Sequence, residues 1–398
     1  MRRLLKCLPL LLCLCCAYAE EVTEEEIGRL HALAKQGDAI AQSALGFCYA
    51  RGNGVPEDDV EAVKWHRKAA EQGDAASQSA LGWCYKIGEG VAMDDVEAVN
   101  WYRMAAEQGD AVSQLVLGAF YAKGEGVPED DAEAAKWYRM AAEQGFAPAQ
   151  FNLGSSYAEG EGVPEDDAEA VNWYRMAAEQ GFAEAQYSLG LCYDGGEGVP
   201  EDDAEAVNWY RMAAEQGFAE AQYLLGLCYA EGQGVPEDDA EAVKWFRMAA
   251  DQGDASAQWN LGVCYDGGRG VPEDDTEAVK WYRMAADQGE ALAQYLLGAS
   301  YASGEGVRKD DAEAVKWFRM AADQGEALAQ FRLGDCYDGG RGVPEDVVTA
   351  YMWWNLASAQ GDEDSKLRKD ELIERMTREQ IAEGQKMSRE WLEKRENK

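Results

Sequence analysis

The chain has 398 residues, of which 75 are acidic and 37 are basic, so its formal net charge at pH 7 is −38. Binding to nucleic acids and to anionic lipids depends on Lys and Arg neutralising phosphates, and a negative field of this size opposes both. The composition therefore argues against a nucleic-acid-binding protein and against attachment to an anionic membrane surface.

Residues 1–19 are predicted to be a secretory signal peptide. Two arginines follow the initial methionine, residues 4–17 are mostly apolar, and Ala17-Tyr18-Ala19 supplies small residues at a cleavage site. We expect cleavage after Ala19 and an exported protein, periplasmic or extracellular, with no transmembrane span in the mature chain. An uncleaved anchor and a lipoprotein linked through Cys16 remain alternatives.

Residues 20–37 are predicted to form a capping helix for the repeats after it. Thr23 and Glu26 have the spacing of a capping box, in which each side chain satisfies a backbone N–H of the other residue. Ile27, Leu30 and Ala34 then recur at helical spacing.

A period of 36 residues runs from residue 38 to residue 361 and repeats nine times. A fixed period of this length is typical of a solenoid, in which each unit buries its apolar face only against its neighbours. Leu-Gly pairs keep the same step, beginning at Leu45, Leu81 and Leu117. We assign these leucines to the core of the repeats together with the periodic tryptophans, which are Trp65, Trp101, Trp137, Trp173, Trp209, Trp245, Trp281, Trp317 and Trp353.

Each repeat is predicted to contain two helices, and its positions take the numbers of the first repeat. Helix A covers residues 39–50, and a Gly-x-Gly-Val-Pro turn comes after it. Helix B begins at Asp59 and ends before Gly73. Position 43, for example, denotes Ser43 and the residues that lie whole periods after it.

Residues 362–398 are predicted to be C-terminal capping helices. The period breaks after Gly361, and one helix carries Leu372 and Ile373. Thr377 and Gln380 then form a second capping box, which opens the last helix.

Runs of three acidic residues precede helix B in most repeats, as in Glu57-Asp58-Asp59. A row of calcium sites is one interpretation, but the oxygen ligands of calcium loops alternate with other residues. We favour helix capping, because Asp accepts hydrogen bonds from free N–H groups at a helix start.

Six cysteines remain after the expected cleavage, all of them at position 48. Equivalent positions in stacked helices lie about 8–10 Å apart, beyond the reach of a disulfide. We therefore expect free thiols within the chain, and no metal site or cofactor. The six are Cys48, Cys84, Cys192, Cys228, Cys264 and Cys336.

The repeat as a whole, nearly complete over 219–253, resembles the Sel-1-like repeat family, close kin of the tetratricopeptide repeat. The resemblance implies an all-α fold, a right-handed superhelical solenoid of antiparallel helix hairpins that serves as a scaffold for protein or peptide partners. Exported cysteine-rich relatives carry paired cysteines in each repeat, whereas this chain has at most one. Some of those relatives are associated with β-lactam binding and hydrolysis, but no serine here has a lysine three residues later.

Position 43 is aromatic in six successive repeats and is the candidate partner-binding site. If Leu45 points to the core, position 43 projects to the far side of helix A and forms an exposed apolar stripe. Packing between adjacent helices A is the other interpretation. The residues are Phe151, Tyr187, Tyr223, Trp259, Tyr295 and Phe331.

The sequence thus predicts an exported, non-enzymatic scaffold whose partner is a protein or peptide of unknown identity. No catalytic residue is assigned, because no nucleophile and base are seen to converge and His66 falls at a core position. The alternatives are a β-lactam binder or hydrolase on the same scaffold, and an envelope assembly or stress-signalling adaptor.

Overall fold

The computed structural model describes residues 22–396, so the predicted signal peptide lies outside the described residues. Within that range the chain is all-helical, with 21 helices and no strand. The chain divides into two compact units, Met1–Met212 and Ala213–Lys398, and each is described by itself.

The first unit opens with α1, Glu24–Lys35, and continues with alternating helices A and B. The A helices are α2 Ala39–Arg51, α4 Ala75–Ile87, α6 Ala111–Lys123, α8 Ala147–Glu159 and α10 Ala183–Gly195. The B helices are α3 Asp59–Ala70, α5 Asp95–Glu107, α7 Asp131–Glu143, α9 Asp167–Glu179 and α11 Asp203–Glu215, within which the unit boundary falls.

The second unit has the same alternation and ends in two further helices. Its A helices are α12 Ala219–Glu231, α14 Ala255–Asp266, α16 Ala291–Ser303 and α18 Ala327–Gly339. Its B helices are α13 Asp239–Asp251, α15 Asp275–Asp287, α17 Asp311–Asp323 and α19 Val347–Ala359, after which come α20 Glu363–Ile373 and α21 Arg378–Glu396. The prediction of an all-α fold of helix hairpins in 36-residue repeats is confirmed, and the handedness of a superhelix stays a prediction.

The acidic runs before helix B act as helix caps. The middle residue of the run is the N-cap, and the Asp58 carboxylate accepts a hydrogen bond from the N–H of Glu61 at 3.0 Å. Asp130 and Asp166 do the same for α7 and α9. The capping interpretation is confirmed, and among residues 22–396 no group of three or more His, Cys, Asp or Glu is placed to hold a metal ion.

The Leu-Gly pair explains how helix A and helix B pack closely. Leu45, Leu81 and Leu117 are fully buried. The glycine beside each leucine faces the aromatic residue at position 66, and a Cβ built on Gly118 would lie 2.5 Å from the ring of Tyr138. No side chain larger than hydrogen fits there without moving that ring.

The C-terminal helices close the second unit. The Trp391 ring of α21 meets Trp353 edge to face, with centroids 6.1 Å apart. Near the end of the same helix, Arg395 donates a hydrogen bond to the carbonyl oxygen of Gln324 at 2.9 Å. None of the helices within 22–396 combines the length and the apolar character needed to cross a bilayer.

Candidate partner-binding surface

The six aromatic residues at position 43, which we call the helix-A aromatic row, are all partly exposed. In the first unit, Phe151 and Tyr187 pack against the position-66 rings of their own repeats, Tyr174 and Tyr210, with centroids 5.7 and 6.3 Å apart. In the second unit, the ring centroids of Tyr223 and Phe246 lie 6.1 Å apart. These three rings are therefore covered in part by helix B and open in part to solvent.

The expectation that position 43 lies on the far side of helix A from the core is wrong. Ser43, Ser79 and Leu115 occupy the same position and are buried. The reason is that helix B of the same repeat covers this side of helix A, so two sides of helix A face protein. Only the larger side chains of repeats 4–9 reach past helix B to the surface.

In repeats 5 and 7, the ring at position 43 shares a helix face with an aliphatic and an acidic residue. Trp259, Val263 and Asp266 succeed one another at spacings of four and three residues, which places them on one side of α14. In the first unit, Tyr187, Leu191 and Asp194 have the same arrangement, and Leu191 is 38% exposed. In repeats 5 and 7, this face is thus an apolar strip that ends in a carboxylate.

The row is held in place from behind by pairs of glutamines, which we did not predict. The Gln258 amide donates a hydrogen bond to the carbonyl oxygen of Ala250 at 3.1 Å and accepts one from Gln288 at 2.8 Å. In the first unit, Gln114 does the same with Ala106 and Gln144. These buried amides fix helix A against the two helices B beside it, which gives the face a rigid base.

A second cross-repeat contact joins an arginine of helix B to a tyrosine of the next helix A. Arg67 donates to the hydroxyl of Tyr85 at 2.6 Å, and Arg139 donates to that of Tyr157 at 2.6 Å. These arginines lie in a strongly acidic protein but serve internal packing.

The predicted core tryptophans fall into two groups. Trp65, Trp245, Trp317 and Trp353 are between 5% and 8% exposed. The others lie at the edge of the core, each half-buried against the preceding repeat. They are Trp101, Trp137, Trp173, Trp209 and Trp281.

The structure brings together His66 of repeat 1 and Ser77 of repeat 2, and the sequence did not reveal their proximity. The Nδ1 atom of His66 lies 3.3 Å from the Ser77 hydroxyl, which donates to Ser43. Ser43 in turn donates to Asp74 at 2.9 Å. Burial lowers the pKa of His66 from 6.5 to about 4, so the ring is neutral at pH 7. Because Ser77 is 0% exposed and His66 is 1% exposed, no substrate can reach this pair in the folded chain.

The six cysteines are free thiols, and the five other than Cys84 are buried. Burial raises the pKa values of Cys192, Cys264 and Cys336 to about 11. Thiols with such pKa values stay protonated at neutral pH and are poor nucleophiles.

Comparison with known proteins identifies the repeat. The family model described as Sel1 repeat matches nine consecutive segments, which are 39–74, 75–110, 111–146, 147–182, 183–218, 219–254, 255–290, 291–326 and 327–362. The chain belongs to the Sel1 repeat family. Proteins of this family generally act as scaffolds for protein interactions.

Two solved structures of Sel1 repeat proteins resemble this chain. The protective antigen c5321 of uropathogenic Escherichia coli, which displays an SLR fold, is 34% identical with a TM-score of 0.53, over 92% of this chain and 87% of that one. The Sel1 repeat protein from Oxalobacter formigenes is 36% identical with a TM-score of 0.62, over 77% of this chain and 89% of that one. No similarity to a curated protein sequence was found.

Proposed function

We propose that this Sel1 repeat protein is an exported, non-enzymatic scaffold that binds a protein or peptide partner through the helix-A aromatic row. The observation that supports the proposal is the partial exposure of aromatic rings in successive repeats of each unit. Aromatic residues dominate the binding energy of many interfaces because they bury much apolar area at a small cost in side-chain entropy. The rings are already fixed against helix B, so binding orders little that is not ordered beforehand.

The outer face of helix B is a weaker candidate for the same role. Its lysines pair with glutamates one turn earlier, as Lys280 does with Glu277 and Lys244 with Glu241. It also carries one methionine per repeat in repeats 2–8, and Met248 is 40% exposed. Long flexible side chains lose more entropy on binding than rings do, so this face provides a control.

The test uses two triple variants of the second unit. Tyr223, Trp259 and Tyr295 are changed to Ser in the first, and Met248, Met284 and Met320 are changed to Ser in the second. Partner capture by crosslinking and pull-down from the native envelope fraction is measured for both, beside thermal unfolding. We expect the first variant to lose capture and the second to keep it. Loss by both variants, or loss by the first with a large fall in its unfolding temperature, would contradict the proposal.

Export is the second part of the proposal and rests on the pattern of residues 1–19. Cell fractionation and N-terminal sequencing test it, and we expect a mature chain that begins at Glu20. A chain that retains Met1, or one with lipid on Cys16, would contradict cleavage after Ala19. A role in envelope assembly or in stress signalling would be a more specific function of the same scaffold. The identity of the captured partner distinguishes between these roles.

A further inference from the structure

One methionine per repeat lies on the outer face of helix B in repeats 2–8. Each of these side chains is between 40% and 44% exposed, whereas Met352, a methionine of α19, is 6% exposed. We call the seven exposed residues the helix-B methionine row. Four of them belong to the first unit and three to the second. They are Met104, Met140, Met176, Met212, Met248, Met284 and Met320.

Other exposed positions of helix B change along the array, but position 68 is methionine throughout repeats 2–8. Position 60 changes from Val96 to Ala132 and to Thr276, and position 64 changes from Asn100 to Lys136. Such variation is expected where a side chain only meets solvent, because substitutions there alter stability little. A thioether that is kept at an exposed position through seven repeats therefore points to a use of its sulfur chemistry.

The six cysteines are less accessible to an oxidant than the methionine row. Five of them are buried, and burial raises the pKa of the sixth, Cys84, to about 12. A thiol attacks oxidants as its thiolate, so a protonated thiol reacts slowly. A thioether has no proton to lose, and the lone pair of its sulfur is available at any pH. The exposed methionines are therefore the sulfur atoms that an oxidant meets first.

Oxidation of the row should leave the helices folded. Sulfoxide formation disrupts a protein where the methionine belongs to its core, because an apolar side chain becomes polar. In α13 the core positions beside Met248 are filled by Ala249 and Ala250, which are 0% and 1% exposed. The methionine itself faces solvent, so the oxygen atom of its sulfoxide can project into water.

We propose that the helix-B methionine row is a reversible oxidation site that consumes hypohalous acid at the surface of the folded array and so spares the buried thiols. This inference does not depend on partner binding, because the row lies outside the helix-A aromatic row.

The reaction balances at each methionine. The sulfur lone pair attacks the halogen, a sulfur–halogen bond forms, and hydroxide leaves. Water then attacks the sulfur, the halide leaves, and two protons are released, one of which neutralises the hydroxide. Sulfur has lost two electrons and the halogen has gained them. A dithiol-dependent sulfoxide reductase restores the thioether, since the oxygen atom leaves as water while the dithiol becomes a disulfide.

The first test compares methionines within one protein. The purified folded protein is treated with substoichiometric hypochlorous acid, and the gain of one oxygen atom at each methionine is measured by proteolysis and mass spectrometry. We expect each methionine of the row to be oxidised at least about tenfold more than Met352. In urea-unfolded protein this difference should disappear. Equal oxidation of the row and of Met352 in the folded protein would overturn the inference.

The second test measures the protection of the thiols. Among residues 22–396, eight methionines are exposed, the seven of the row and Met93. Free thiols, counted after denaturation, should therefore decline only beyond about eight equivalents of hypochlorous acid. The triple variant Met248→Leu, Met284→Leu and Met320→Leu should lower this threshold to about five equivalents. Met352→Leu is the matched control, a swap of similar volume in the core that should leave the threshold unchanged.

Three outcomes of the second test overturn the inference. They are an unchanged threshold in the triple variant, an equal fall of the threshold in Met352→Leu, and loss of the helical circular dichroism signal when the row alone is oxidised. If the triple variant does not fold, the comparison of the row with Met352 in the unaltered protein still decides.

Discussion

Repeats 1 and 6 solve the same packing problem with different chemistry. In repeat 6, two aromatic rings, Tyr223 and Phe246, fill positions 43 and 66 and pack together. In repeat 1, these positions hold Ser43 and His66, and hydrogen bonds to Ser77 and Asp74 replace the apolar contact. The residue that faces His66 is Ser77, whereas its counterpart after repeat 6 is Ala257, which is fully buried.

The difference shows that one backbone arrangement accepts either an aromatic pair or a hydrogen-bonded polar group at this interface. A histidine is tolerated at position 66 because the hydroxyl of Ser77 lies beside its ring and is itself hydrogen-bonded to Ser43. Buried polar groups are stable when each has a partner and costly when one is removed. The two solutions should therefore respond differently to mutation and to pH.

The largest expected effect is the loss of stability when the aromatic contact of repeat 6 is removed. Phe246→Ala removes a ring that is 1% exposed, and we expect it to lower the free energy of unfolding by about 3–5 kcal/mol. Urea unfolding monitored by circular dichroism measures the change. Met248→Ala, two residues later on the exposed side of α13, is the control and should change stability by about 0.5 kcal/mol or less. Similar losses in the two variants would show that Phe246 does not carry this interface.

The hydrogen-bonded interface of repeat 1 should become less stable in acid. The pKa of His66 is 6.5 when unfolded and about 4 in the folded chain, so the unfolded chain binds more protons between these values. The stabilisation is fully present above pH 6.5, falls as the pH is lowered, and is reduced by about 3 kcal/mol at pH 4.

The matched control is His66→Tyr, since repeat 2 already combines Tyr102 with Ser113 at the corresponding positions. Both proteins are unfolded in urea from pH 7.5 to pH 4, and the difference between their free energies isolates His66 from the many carboxylates. A difference that does not change with pH would contradict the assignment of a buried neutral imidazole.

A smaller effect should be common to both repeats. A Cβ on Gly46 would lie 2.5 Å from the His66 ring, and one on Gly226 would lie 2.6 Å from Phe246. We expect Gly46→Ala and Gly226→Ala each to lower the free energy of unfolding by about 1–3 kcal/mol. Gly28→Ala is the control, since nothing lies within 4 Å of its added Cβ, and helix propensity should make it stabilising by about 1 kcal/mol. Thermal unfolding checks this prediction. The midpoint should be lowest for Gly46→Ala, intermediate for the unaltered chain and highest for Gly28→Ala.

The smallest effect concerns the acidic caps, which the two repeats share. Asp58→Ala and Asp238→Ala should each lower the free energy of unfolding by about 1 kcal/mol, whereas Asp58→Asn should keep most of the stability because Asn is an equally good N-cap. Equilibrium unfolding with and without added calcium measures the stability of the three variants and of the unaltered protein. A loss in Asp58→Asn as large as that in Asp58→Ala, together with stabilisation of the unaltered protein by calcium, would favour a calcium role for these runs.

The helices and their caps could be predicted from local signals in the sequence. Asp58 precedes an apolar-periodic segment and Gly73 comes after it, so the bounds of helix B required no knowledge of its neighbours. The contacts of Ser43, Gln258 and His66 could not be predicted, because they depend on how helix A rotates against helix B. That rotation depends on the Gly46 contact, which takes two helices to define. The Ser77–His66 pair had one available signal, which is the histidine at a position that is aromatic in every other repeat.

The paired glutamines behind the aromatic row bear on how the chain varies in length. Gln258 bonds to Ala250, eight residues earlier, and to Gln288, thirty residues later, and both partners recur with the period. An in-frame duplication of any 36 residues, wherever its ends fall, thus carries its own donors and acceptors to the new junctions. Such a gene can gain or lose whole repeats in one recombination event without first evolving a new interface. Comparing repeat number among strains of one species tests this expectation, which holds if the differences are multiples of 36 residues.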